Sequence, residues 1–168
     1  LLCEQPNGDF AQTIVRQWLM DHYHHLLFST LANSQNAEVA AFAMKSLKEV
    51  KYHLRFSKAW MERLSLGTDE AHEKIQNGLN SVWRFTQELF ALTAEEKQLV
   101  TDSVLPEIEA LKPIWDETIQ QELAHLQLSL PATGAYRSVA KQGLHTEHLG
   151  YVLAELQYMQ RSYPNMNW

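Results

Sequence analysis

The residue pair that says most about chemistry in this chain is a histidine with a valine three places before it. In the stretch 45–56, His53 is preceded at that distance by Val50. A Glu-x-x-His pair on one helix sets a carboxylate and an imidazole on the same face, which is how helical bundles hold two carboxylate-bridged metal ions. Valine has no donor atom, so the spacing predicts the frame of such a site with one ligand gone. Asp21-His22-Tyr23-His24 spells Asp-x-x-His, and Glu49 stands four residues before His53. Both signals are weak, because short carboxylate–histidine spacings recur by chance among 8 histidines and 20 acidic residues. For Asp21 the commoner use is a buried acid hydrogen-bonded to a neighbouring helix. His24 and His25 read as surface or rim histidines, and Glu49 as an exposed acid paired with Lys45 or Lys48.

A second cluster, Gly143-Leu144-His145-Thr146-Glu147-His148-Leu149-Gly150, contains His-x-x-His. A metal there needs two further ligands that the local sequence does not supply, and packing at a helix start is the expected use. There is no Ser-His-Asp spacing, glycine-rich phosphate loop or Cys-x-x-Cys motif, so a nucleophilic or nucleotide-driven mechanism has no support.

The elements that must position these residues are helical. Apolar residues recur at steps of three and four nearly everywhere, and no alternating β-branched run argues for a strand, so the expectation is all-α. Turn residues Pro6-Asn7-Gly8 precede Asp9, an N-cap for a first helix over about 10–32. Phe10, Ile14, Trp18, Asp21, His25 and Phe28 form its stripe, with Asp21 the charged exception. A second helix follows Asn36 and stops at Gly67, with Val39, Ala43, Leu47, Val50, Leu54, Met61 and Leu64 as its seam. At 1.5 Å per residue it spans about 45 Å, and such helices on short loops pack as antiparallel neighbours. Thr68 or Asp69 caps a third helix that carries Ile75 and Leu79 on through Trp83 and Phe85 to Phe90. Thr93-Ala94-Glu95-Glu96 fits a capping box for a short fourth helix. A fifth runs over about 107–128 with Pro113 near its first turn or bending it. A loop at 131–134 and a polar, partly irregular stretch 136–143 lead to a last helix over about 146–162, which presents Leu149, Val152, Leu153, Leu156 and Met159.

Composition sets the limits. One domain over 1–168 with 45% hydrophobic residues can bury a sizeable core. A net charge of -6 argues against a nucleic-acid groove. The basic residues Lys45, Lys48, Lys51, Arg55 and Lys58 recur at helical spacing as one solvated or partner-facing stripe. No apolar run approaches the roughly 20 residues that span a bilayer, no signal-peptide pattern opens the chain, and the single Cys3 has no disulfide partner. A cytoplasmic protein is expected. A chain that begins Leu1-Leu2-Cys3 without methionine is expected to continue upstream.

Taken together, Glu4-Gln5-Pro6-Asn7-Gly8-Asp9-Phe10-Ala11, Lys48-Glu49 with Tyr52-His53-Leu54-Arg55-Phe56-Ser57, Trp83-Arg84-Phe85-Thr86, Ala135-Tyr136-Arg137, and the tail 143–150 with Leu153-Ala154-Glu155 and Gln157-Tyr158 carry a resemblance. The chain resembles the C subunits of bacterial ring-1,2-phenylacetyl-CoA epoxidases, multicomponent monooxygenases of phenylacetate catabolism, and looks like their C-terminal two thirds. The resemblance implies a ferritin-like bundle that pairs with a catalytic di-iron A subunit, served by a separate reductase, in a hetero- or homo-oligomer. In the related catalytic subunit the second-helix motif is Lys-Glu-Glu-x-Phe-His, where this chain has Lys48-Glu49-Val50-Lys51-Tyr52-His53. Asp21, Val50 and His53 then become relics of a ligand set, with Asp21 free to hydrogen-bond His53 or a partner across the bundle. No catalytic residue, metal or cofactor is expected in this chain, and the iron is expected in the partner. Arg137 and Lys141 are candidates for contacting an anionic group of coenzyme A, solvated basic residues being the plainer reading. The alternative is a self-sufficient ferritin-like di-metal protein using Asp21, Glu49, His53 and His24. A helical scaffold unrelated to oxygenases fits the composition equally well.

Overall fold

Side-chain caps fix where most of the helices begin. In the computed structural model, which describes residues 1–132 and 140–167, Asp9 accepts the Gln12 amide at 2.9 Å and opens α1 (Phe10–Leu31). Asn36 takes the amides of Glu38 and Val39 and opens α2 (Ala37–Ser65). Thr68 caps α3 (Asp69–Val82) through the Ala71 amide. Thr93 and Glu96 form the reciprocal capping box of α4 (Ala94–Thr101). The remaining helices, α5 (Ile108–His125) and α6 (His148–Ser162), start without a side-chain cap bond. Among the described residues there is no strand, and the all-α bundle expected from periodicity is what the chain forms.

The third helix departs from expectation. It ends at Val82, and Trp83–Phe90 continues as a 3-10 helix. Burial explains the change of winding. Val82, Phe85 and Glu88 lie three apart, as do Trp83 and Thr86, and all five are buried. Three residues per turn keep both rows facing inward, where an α-helix would rotate them away. The Thr86 hydroxyl donates to the Trp83 carbonyl at 2.8 Å, and the Trp83 ring stacks on Trp115 with centroids 5.8 Å apart.

The short connection 32–36 turns α2 back along α1, and these two helices share the longest interface of the molecule. The seam of α2 is fully buried only at Ala43, Val50, Ser57, Met61 and Ser65, while Val39, Leu47, Leu54 and Leu64 are half-buried. α3 crosses α1 closely at Gly78, where an added Cβ would lie 3.0 Å from the Gln12 Cα. The core gathers Trp18, Leu19, Met61, Ile75, Leu79, Trp115, Ile119 and Leu123. Pro113 lies inside α5, where it has no N–H to give the Glu109 carbonyl. α6 buries none of its residues, and Leu156 is 69% exposed. Val152, Leu153, Leu156 and Met159 of this helix are exposed.

Candidate functional site

α1 and α2 bring Asp21 and His53 to one cavity. It has a volume of about 360 Å³ and is lined by Phe10, Thr13, Ile14, Gln17, Asp21, His53 and Phe56. Asp21 is 1% exposed. Its Oδ1 accepts from Gln17 Nε2 at 2.6 Å, and its Oδ2 has no hydrogen-bond partner. The expected bond to a neighbouring helix is therefore replaced by one from a residue a turn earlier on the same helix. A buried carboxylate oxygen without a partner is costly. His53 is exposed at the mouth and does not hydrogen-bond Asp21. His24 stands within electrostatic reach of both. Its burial lowers its pKa, opposed by the Asp21 carboxylate and reinforced by His53.

Val50 is buried one turn before His53 in α2. A di-iron centre draws on four carboxylates and two histidines from four helices. Here the place of one carboxylate is a hydrocarbon, and among the described residues no three His, Cys, Asp or Glu side chains gather closely enough to hold a metal ion. The donors among the described residues do not fit a di-iron centre. Glu49 is exposed and forms no ion pair with Lys45 or Lys48 among the described residues. His145 and His148 do not converge either. His145 Nδ1 lies 2.7 Å from Glu4 Oε1, while His148 reaches only Glu147 at 4.0 Å.

That His145 contact belongs to a clasp between the two ends of the described chain. Glu4 Oε2 accepts from the Thr146 amide at 2.8 Å and its hydroxyl at 2.7 Å. Burial would raise the Glu4 pKa, but these bonds outweigh it and bring the carboxyl down to about 2. Lys141 turns inward to Glu96 and the Ala91 carbonyl, each at 2.8 Å, instead of offering its charge outward. Arg137 lies outside the described residues.

Sequence reasoning missed Glu122. On α5, its Oε2 lies 3.1 Å from both Trp18 Nε1 and His22 Nε2, and its Oε1 accepts from Lys58 Nζ. Burial pushes this carboxyl up, and the His22 and Lys58 contacts more than reverse that, to about 2. The network joins α1, α2 and α5 at one acid. No short-range spacing could have announced it, since its partners are 64 to 104 positions away in sequence.

With this geometry in hand, comparison with known proteins decides the family. The family model for phenylacetic acid catabolic proteins matches residues 1–168. The chain belongs to that family. It is also similar to the C subunit of the 1,2-phenylacetyl-CoA epoxidase of Escherichia coli (strain K12), with 44% identity over 168 residues, all of this chain and 68% of that protein. For a phenylacetic acid catabolic protein, the all-helical bundle agrees with the resemblance drawn from its motifs. Among the described residues no helix is long and apolar enough to cross a membrane.

Proposed function

We infer that this chain is a structural, non-catalytic subunit of a phenylacetyl-CoA 1,2-epoxidase complex, holding a separate di-iron oxygenase subunit in its working shape. The observation that carries the reading is Val50, buried in α2 where an acid would complete the pair with His53. The E. coli relative is named a subunit of the epoxidase, which supports membership of a multi-subunit assembly. Iron in the partner supplies the activation of O2 and a reductase supplies electrons. The lone, unpaired Cys3 supports a reducing, cytoplasmic setting. Val50 also counts against a self-sufficient di-metal protein, for which Asp21, Glu49, His53 and His24 offer only two carboxylates where the di-iron bundle uses four.

The exposed aromatic side chains of α1 and α2 suit a scaffold. Phe10 is 51% exposed and Phe42 62%, and Tyr52 and Phe56 are exposed as well. Aromatic surface of this kind marks protein contacts. The test is iron content and activity of the full-length protein, alone and co-purified with the oxygenase subunit. The expected result is no stoichiometric iron and no epoxidation by the protein alone, with both present in the complex. Two irons per chain in the isolated protein would overturn the reading and make Asp21 and His53 ligands.

A further inference from the structure

Among the described residues, Asp21 is a buried acid to which no basic side chain bonds. It is 1% exposed, and its hydrogen bond comes from the neutral Gln17 amide to Oδ1, which leaves Oδ2 buried without a partner. Taking a carboxylate out of water is unfavourable unless a cation or several donors come to it. His24 stands within electrostatic reach, but burial pushes its pKa down and His53 adds to that against the pull of Asp21, so His24 is held toward its neutral form. Asp21 is the one acid in the lining of the 360 Å³ cavity between α1 and α2, and Phe10, Ile14 and Phe56 supply its apolar walls. Phe10 and Phe56 are also exposed, which places them at its opening. There the aromatic surface continues to Trp60, whose ring meets Phe10 edge-on with centroids 5.0 Å apart and lies 6.5 Å from Phe56. A buried charge ringed by exposed aromatic side chains has the anatomy of a protein contact, in which apolar neighbours keep water from a central charged pair.

We propose that this cavity is a socket for a basic side chain of the oxygenase subunit, its cationic head on Asp21 Oδ2 and its aliphatic stem against Phe10, Ile14 and Phe56. This contact presupposes that the chain is a subunit of the epoxidase assembly. Charge decides the occupant. A neutral side chain would leave the carboxylate without a counter-charge and an acidic one would repel it, whereas lysine and arginine bring the charge together with a stem that buries against apolar walls. The volume lies at the low end of small-molecule sites, which suits one long side chain better than a cofactor. With Oδ1 taken by Gln17, the head forms one charge-assisted hydrogen bond to Oδ2.

The test is the affinity of the full-length protein for the oxygenase subunit by calorimetric titration, together with urea unfolding of the full-length protein alone. Asp21→Asn should weaken the complex at least ~30-fold, the loss expected when one member of a desolvated charge pair is removed, while the protein alone stays no less stable than wild type. Phe56→Ala opens the wall and should weaken the complex about 5-fold; Phe56 is exposed, so the fold survives that change. Glu73→Gln removes an exposed acid from α3, outside the lining, and should leave affinity unaltered. The ratio between wild type and D21N should persist at ~0.5 M NaCl, because salt screens a buried pair only weakly. D21N or F56A binding as wild type does, weakening by E73Q equal to that by D21N, or a ratio that vanishes in salt would each overturn the proposal. So would a lower urea midpoint for D21N alone, since the carboxylate would then be engaged within its own polypeptide. Failure of the wild type to bind the oxygenase subunit would sink the subunit reading and this contact with it, whereas a complex that D21N leaves intact sinks the contact alone.

Discussion

Replacing Glu122 by glutamine isolates what one partly buried charge contributes to holding three helices together. The amide keeps the size and one acceptor but loses the charge that His22 and Lys58 share. The carboxyl moves from 4.5 in its ordinary state to about 2 in the fold. At 1.36 kcal/mol per pKa unit, that difference corresponds to about 3 kcal/mol of stability near neutral pH. Glutamine retains part of the hydrogen bonding, and solvent screens the exposed side of the network, so a loss of about 2 kcal/mol is expected. For a domain of this size that lowers Tm by roughly 4–8 °C. The sign of the pH dependence follows from the depressed folded pKa. The contribution is complete above the unfolded value of 4.5 and fades as pH falls toward 2. By pH 3.5 about 1 kcal/mol of it should be gone. Urea unfolding of wild type and E122Q, followed by circular dichroism at pH 7, 5 and 3.5, measures the gap directly. Equal stability at pH 7, or a gap that stays constant down to pH 3.5, would refute the idea that the ion network supports the fold.

Three further outcomes follow from the same kind of accounting. Asp21→Asn removes a buried charge whose Oδ2 has no partner, so the isolated protein should gain up to ~1 kcal/mol in urea unfolding; a loss of 2 kcal/mol or more would show that the carboxylate is satisfied in solution. Glu4→Gln weakens the clasp on His145 and Thr146, and hydrogen exchange should quicken in α6 while the core amides of α1 and α3 stay protected. In the wild type the same loosening should develop as pH drops below 4.5 toward about 2, because Glu4 carries a depressed pKa. Gly78→Ala drives a methyl to 3.0 Å from the Gln12 Cα, and thermal melts should show a loss of about 1–3 kcal/mol; an unchanged Tm would mean that α3 and α1 separate freely.

The parts of this molecule legible in its sequence are those governed by interactions within one turn. Asp9, Asn36, Thr68 and Thr93 act on amides two or three residues ahead, so the helix starts could be read directly. That Asp21 and His53 meet at one cavity was suggested by the family resemblance and was not legible from helical phase, since a rotation by one residue, about 100°, would separate them. The 3-10 segment was not legible, because its winding answers to which aromatic rings meet Trp115 and Tyr23 across the core. Glu122 was not legible for the same reason.

The basic stripe of α2 shows where helical phase stops being informative. At 100° per residue, Lys48 and Arg55 point in nearly the same direction from the axis, yet Arg55 lines a cavity between α2 and α5 and Lys48 does not. What separates them is height along α2. The C-terminal turns of α5, with Gln121, Glu122 and His125, stand opposite residues 51–62 and give that half of the stripe a facing wall. The same residue types therefore form an open, solvated face at one end of the helix and line a walled cavity at the other, and the difference lies entirely in a helix far along the chain.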